Sequence, residues 1–171
     1  MGEFSLDRRR SLRHDALVED ALDYARAVAT DDVRETLDWL TSNGFAVASS
    51  RGGRGESFGN ILLKFGSNDD VRVTIVRDRS QWTAEIGRVE PSNRSLNVLL
   101  TAMTGELAPP EHRATSEPRS DQLPEGTVWR SSIPALIEWL RSDDRTAAIH
   151  NADERWRAVM RKWWKEVDKR S

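Results

Sequence analysis

The 171 residues of the chain include no cysteine. This absence excludes disulfides, thiolate catalysis and cysteine-based zinc sites, and it is compatible with a reducing compartment. The sequence also lacks any apolar run near the roughly 18 to 20 residues of a membrane-spanning helix, and its N-terminus lacks a signal-peptide pattern. We therefore expect a cytoplasmic protein that does not associate with membranes.

An excess of charge of one sign is missing as well. The 26 basic and 28 acidic residues leave a net charge of −2, so nothing attracts the whole chain to nucleic acid or to an anionic membrane. Any basic surface must be local. Tyrosine is scarce, whereas there are seven tryptophans, four of them at positions 139, 156, 163 and 164.

The spacing of apolar residues predicts two N-terminal helices followed by a sheet. Helical spacing continues to about Ser42, where Asn43-Gly44 ends the second helix. The period then changes to two, which is typical of strands with one buried face. Four strands are predicted, and their inward residues are Phe45 and Val47; Ile61, Leu63 and Phe65; Val71, Val73 and Ile75; and Trp82, Ala84 and Ile86.

The rest of the chain predicts three further helices. One starts at Pro91-Ser92-Asn93 and ends at Gly105, one starts at the caps Ser131-Ser132, and one starts near Asp153. Four prolines between Gly105 and Gly126 indicate a mobile loop. We therefore predict an α+β fold: a four-stranded antiparallel meander covered by helices, with a C-terminal helical pair. The expected boundaries are a core domain at 5–104, the loop at 105–128 and a helical region at 129–169 that packs on the core.

Gly55-Glu56-Ser57-Phe58-Gly59 matches the G-x-S-x-G pattern of a hydrolase nucleophile elbow. In that motif the serine leaves a strand and enters a helix, whose N-terminus supports the oxyanion. Here the strand comes after the motif instead. We therefore interpret Ser57 as a turn residue, with Gly59 permitting a special backbone angle, and predict no catalytic residues and no enzyme.

No metal or cofactor site is predicted. The histidines at 14, 112 and 150 have no metal-ligand spacing, and Gly52-Gly53-Arg54-Gly55 lacks the remainder of a phosphate-binding motif. Asp69-Asp70 and Asp143-Asp144 have no calcium-loop spacing around them, so we interpret them as turn and helix-cap residues.

Two places can bind a partner. At the third turn of the sheet, Arg77, Asp78, Arg79 and Gln81 can form a polar recognition tip, or only a turn with a local Arg–Asp pair. The sheet face opposite the apolar one carries mixed charges, which suits a protein surface better than a phosphate backbone. That face comprises Lys64, Arg72, Thr74, Thr83 and Glu85.

The final helix interleaves tryptophans with basic residues, and three interpretations remain open. In the first, Trp156, Met160 and Trp163 pack on the core. In the second, Trp164 anchors a protein partner, and in the third the basic residues contact phosphates. The basic residues concerned are Arg157, Arg161, Lys162 and Lys165. Packing is the first expectation, protein binding the second and nucleic-acid binding the third.

The segments Ser57-Phe58-Gly59-Asn60 and Arg77-Asp78-Arg79-Ser80-Gln81-Trp82 resemble a pattern F-G-N…R-D-R-G-Q-W. Small actinobacterial proteins share it, and several of them are regarded as immunity proteins of toxin systems. The resemblance covers about residues 33–103, and Ser80 departs from it where the pattern has glycine. It implies a non-enzymatic protein that binds a toxin or effector. The sequence leaves a nucleic-acid-associated factor as the alternative.

Overall fold

The structure is a computed structural model that describes residues 18–52, 59–88, 93–107 and 128–168, without the side chains of 163, 164 and 166–168. Its first helix, α1, is described over 18–28. The remaining elements are α2 (Asp31–Ser42), β1 (Ala46–Gly52), β2 (Ile61–Gly66), β3 (Arg72–Asp78), β4 (Gln81–Gly87), β5 (Arg94–Ser95), α3 (Leu96–Thr104), α4 (Trp129–Ser142) and α5 (Thr146–Asp168).

The prediction of an α+β fold with an antiparallel sheet is confirmed. The sheet has the strand order β1-β2-β3-β4-β5, and the pairs β1–β2, β2–β3 and β4–β5 are antiparallel. The fifth strand was not predicted. It pairs Ser95 with Glu85 and Arg94 with Ile86. A two-residue strand shows no alternation of its own, so the sequence pattern does not separate β5 from the helix that follows it.

The chain divides into two compact units, Met1–Trp82 and Thr83–Ser171. In the first unit, strands β2 and β3 pair in register, with Leu63 opposite Ile75 and Phe65 opposite Val73. Directly paired residues project from the same face of a sheet, so these four side chains form one apolar face. All four are fully buried, as the period-two pattern predicted.

Strand β1 deviates from the expected alternation. Phe45 is buried but lies just before the strand, where its N–H donates to the Leu40 carbonyl at 3.1 Å. Its ring is 6.3 Å from that of Trp39, centroid to centroid. Val47 is only half-buried, and the register shifts between Val47 and Ser49. Such a bulge is common in a strand at the edge of a sheet.

In the second unit, α3 ends at Gly105 with a left-handed φ of 76°, as predicted. Helices α4 and α5 both begin earlier than expected, at Trp129 and Thr146. Position 131 is therefore inside α4, where the Ser131 hydroxyl donates to the Val128 carbonyl at 3.0 Å instead of capping the helix start. The buried apolar residues of these helices are Leu96, Val98, Leu99, Trp129, Ile133, Leu136, Ile137, Leu140, Ile149, Ala152 and Trp156.

None of the described helices is both long enough and apolar enough to cross a membrane. Of the predicted loop at 105–128, residues 108–127 lie outside the described residues. The same is true of the start of the first predicted helix, before residue 18.

Candidate functional site

The polar tip predicted at the third turn is a two-residue hairpin turn between β3 and β4. Its central residues Arg79 and Ser80 both have positive φ, 46° and 70°. This combination defines the type I′ turn, whose twist matches that of the strands and which favours glycine at its second central position. The positive φ at position 80 explains why the resembling pattern has glycine there. Ser80 adopts the same conformation at a steric cost.

Arg77 joins this turn to the residues that precede β2. It pairs with Ile61 in the sheet, so the Arg77 side chain lies on the same face as the buried pairs of β2 and β3, at the end of that face. Its Nη1 donates to the Gly59 carbonyl at 2.6 Å, and its Nη2 donates to the Ser80 hydroxyl at 3.3 Å. No ion pair with Asp78 is found among the described residues, so the local Arg–Asp pair that the sequence allowed is replaced by these two bonds.

Gly59 and Asn60 complete this connection. Gly59 has a φ of +60°, which confirms its expected special backbone angle. A Cβ added there would lie 2.7 Å from the Tyr24 hydroxyl oxygen and 2.8 Å from Arg77 Nη1. The Asn60 side-chain oxygen accepts the Arg79 backbone N–H at 3.1 Å. Gly59, Asn60 and Arg77 thus form a set of contacts with Arg79 and Ser80 that holds the turn in place, and we call these contacts the turn clamp.

Of the predicted partner-binding residues, the turn brings three together in exposed positions. Asp78, Arg79 and Gln81 are exposed, whereas Arg77 is half-buried in the turn clamp. Arg72 is exposed at the opposite end of β3, where it pairs with Gly66, so the structure does not place it at the tip. The mixed sheet face is also less open than expected, since Thr74 is buried.

A second site lies within Thr83–Ser171. It is an open cleft of about 470 Å³. Its walls include Arg94, Asp153, Trp156, Arg157, Met160 and Arg161. Arg157 and Arg161 were predicted as alternative phosphate contacts, and the structure places both on this cleft. Lys162 and Lys165, from the same predicted set, are exposed on α5 and do not line it.

The charges of the cleft are partly compensated. One oxygen of Asp153 lies 3.7 Å from Arg94 Nε and 2.9 Å from Arg157 Nη2. The carboxylate is 20% exposed, so it is screened less than a surface ion pair. Arg161 has no hydrogen-bond or ion-pair partner among the described residues. Three guanidinium groups and one carboxylate therefore give the cleft walls a positive charge.

The apolar floor of the cleft is part of a small core. Trp156 is buried together with Val98 and Ala152. Its indole Nε1 donates to the Thr101 hydroxyl at 3.2 Å. The expectation that Trp156 packs inward is confirmed. The side chains of Trp163 and Trp164 lie outside the described residues, so the partner-anchoring role of Trp164 stays a prediction.

Three other titratable residues, Asp144, Asp70 and His150, belong to neither the tip nor the cleft. Asp144 lies just before α5 and was predicted to cap a helix. The Thr146 hydroxyl and backbone N–H donate to its carboxylate, the N–H at 2.9 Å, and hold the pKa of Asp144 below its usual range. Asp70 is in the β2–β3 turn with a φ of 63°. His150 is within α5, and its Nε2 lies 3.6 Å from Glu154 Oε1.

No cluster of three or more potential metal ligands occurs in the described part of the chain. Ser57 and the glycine-rich run at 53–56 lie outside it, as do His14 and His112. The interpretation of Ser57 as a turn residue therefore stays a prediction.

Sequence reasoning missed residues in both sites. Asn60 belongs to the resembling pattern, but its bond to the Arg79 backbone joins positions 19 apart in the sequence, which no local pattern indicates. Arg94 and Ser95 line the cleft and were not predicted to be functional. Met160 was predicted to pack beside Trp156, and the structure places both on the cleft.

Comparisons with models of protein families, with curated proteins and with solved structures found no significant match to this chain.

Proposed function

We propose that this chain is a non-enzymatic binding module that recognises another protein through the tip of the β3–β4 turn. The observation that supports the proposal is the turn clamp, which holds exposed polar side chains on a backbone of defined conformation. A surface that is ordered before binding loses less conformational entropy on association. Asp78 and Arg79 carry opposite charges and Gln81 is neutral, a mixture that favours complementary protein surfaces over a uniformly negative phosphate backbone.

The biological role that we propose is that of a cytoplasmic immunity or defence-accessory protein whose partner is a toxin or effector. It rests on the resemblance of the turn-clamp residues to the F-G-N…R-D-R-G-Q-W pattern. Within this proposal Arg77 acts as a support for the tip, while Asp78, Arg79 and Gln81 contact the partner. Arg72, at the opposite end of β3, and Trp164 are further partner-binding residues that the sequence predicts.

The experiment is to co-express the chain with the product of its neighbouring gene and to measure growth and complex formation. We expect the chain to relieve the toxicity of that product and to bind it. Arg79→Glu should weaken binding by more than about tenfold, which corresponds to about 1.4 kcal/mol. Asn68→Glu, in the exposed β2–β3 turn, is the matched control and should bind like the unaltered chain. Equal affinity for the Arg79 and Asn68 variants would rule out the tip as the binding surface.

A nucleic-acid-associated function is the second candidate, and one observation favours it. Arg157, Arg161 and Lys165 recur every four residues along α5 and are all exposed, so they form one basic stripe. Phosphate contacts of this kind make affinity fall steeply with salt. A sub-micromolar affinity for duplex DNA with a steep salt dependence, lost when these three residues are neutralised together, would support this function against the first.

A further inference from the structure

The cleft in Thr83–Ser171 combines two chemical features that a ligand must match. Its walls carry the guanidinium groups of Arg94, Arg157 and Arg161 against the single carboxylate of Asp153. Arg94 comes from β5 and the other two from α5, so the positive groups converge from two elements. Charge complementarity therefore requires an anionic ligand.

The floor requires an apolar group as well. The accessible surface of the cleft is mainly non-polar, and its apolar lining residues are Val98, Trp156 and Met160. Val98 and Trp156 are almost fully buried, so Met160 is the apolar residue that a ligand can contact. Met160 is half-buried, and its flexible thioether adapts to side chains of different shape. A volume of about 470 Å³ is within the range of pockets that enclose small ligands or anchoring side chains.

The cleft also has a hydroxyl-bearing residue in its lining. Ser95 lines the cleft and precedes α3 as its N-cap, but its side chain makes no capping hydrogen bond. Its Oγ has no hydrogen-bond partner among the described residues although it is buried from bulk solvent. Buried hydroxyls normally have a partner, so this one is available to a ligand only if the Ser95 side chain rotates towards the cleft.

We propose that the cleft binds an acidic segment of a partner protein in which a carboxylate side chain neighbours a bulky apolar one. The carboxylate pairs with Arg161 and Arg157, and the apolar side chain contacts Met160. A single-stranded nucleic acid fits less well, since its bases would need an accessible aromatic face for stacking. Trp156 is only 2% exposed and its Nε1 is already bonded to Thr101, so it offers no such face.

This site is distinct from the β3–β4 tip of the proposed function, since the two are built from different residues. Variants of one leave the other unaltered, and the two proposals can therefore fail independently. A partner that requires Arg79 but not Arg161 would support the tip alone. A peptide that requires Arg161 but not Arg79 would support the cleft alone.

The experiment selects a phage-displayed random peptide library on the full chain and measures the affinity of the enriched peptides by fluorescence anisotropy. We expect enrichment of sequences in which Asp or Glu lies beside Leu, Ile, Met or Phe. Arg161→Glu should weaken their binding by at least about tenfold, because it places like charges in contact. Met160→Ala should also weaken the binding of these peptides. The salt dependence of the affinity should stay the same, because Met160 carries no charge.

Lys162→Glu is the matched control, since it reverses a charge on the next residue of α5 outside the cleft and should leave peptide affinity within about twofold. Circular dichroism of each variant checks that α5 is retained. Failure of any acidic–apolar sequence to be enriched would overturn the proposal, as would equal losses at Arg161 and Lys162. Tighter binding of a labelled oligothymidylate than of the enriched peptides would assign the cleft to nucleic acid instead.

Discussion

The Arg77 guanidinium donates a 2.6 Å hydrogen bond to the Gly59 carbonyl oxygen, across 18 positions of the sequence. The bond joins the end of β3 to the residues that enter β2. The same arginine reaches the Ser80 hydroxyl, and the neighbouring Asn60 holds the Arg79 backbone. An arginine that the sequence marks as a binding residue therefore has a structural role, which mutation can measure.

Replacing Arg77 with alanine should lower the free energy of unfolding by about 1.5–3 kcal/mol, as expected for loss of charge-assisted hydrogen bonds to a half-buried group. Urea unfolding followed by tryptophan fluorescence measures the effect. Arg79→Ala is the control and should change stability by less than about 0.5 kcal/mol, since the Arg79 side chain is exposed. Similar values for the two variants would mean that the turn clamp adds no stability.

Gly59→Ala should destabilise the chain more than Gly44→Ala does. Both glycines have positive φ, so each alanine incurs a backbone cost of about 1 kcal/mol. No atom lies within 4 Å of a Cβ added at Gly44, whereas at Gly59 the Cβ would displace the Arg77 guanidinium. The additional loss at Gly59 should be about 1–2 kcal/mol and should be smaller in an Arg77→Ala background, where only the 2.7 Å approach to the Tyr24 hydroxyl remains. Additive effects in the double variant would contradict this coupling.

Ser80→Gly should stabilise the chain by about 0.5–1 kcal/mol. Glycine removes the strain of a left-handed φ of 70°, about 1–2 kcal/mol, while the greater freedom of the unfolded glycine offsets part of the gain. Ser80→Ala retains the strain and loses the contact with Arg77, so it should be neutral or slightly destabilising. Thermal unfolding of the three proteins tests the order, and a glycine variant less stable than the alanine variant would exclude a type I′ turn.

Trp156 and Thr101 should be energetically coupled. Trp156→Phe removes the donor and Thr101→Val removes the acceptor of the 3.2 Å hydrogen bond between them. Thr101→Val alone leaves a buried indole N–H without a partner, which costs about 1–3 kcal/mol. The double variant should lose about 0.5–1.5 kcal/mol less than the sum of the single variants. A double-mutant cycle of unfolding free energies measures this difference, and strict additivity would show that the bond is not formed.

Asp144 should make stability depend on pH at the acidic end. Its folded pKa is lowered by the bonds from Thr146, so its contribution is present above the pKa of the unfolded chain, about 3.9. That contribution is lost as the pH falls through the folded pKa. The difference in melting temperature between the unaltered chain and Asp144→Ala should therefore shrink below about pH 4. The difference in melting temperature between Asp144→Asn and Asp144→Ala should stay constant over the same pH range, because asparagine accepts hydrogen bonds but does not titrate.

The sequence by itself determined the elements whose pattern is local and repeated. Alternation in Ile61–Phe65 and Val71–Ile75 was sufficient to predict two paired strands and their buried face, because side-chain direction in a strand alternates with period two. Gly105 predicted the end of α3 because only glycine readily adopts its left-handed φ. The glycine conformation at position 59 was predicted for the same reason.

Only the tertiary structure decided which polar residues are free to bind. The sequence treats Arg77 and Arg79 alike, but strand register directs Arg77 to the buried face and the turn leaves Arg79 exposed. The short strand β5 brings Arg94 to Asp153, a contact between residues nearly 60 positions apart that no local period records. Such contacts depend on how the chain folds back on itself, and hydrophobic periodicity describes only each segment's own faces.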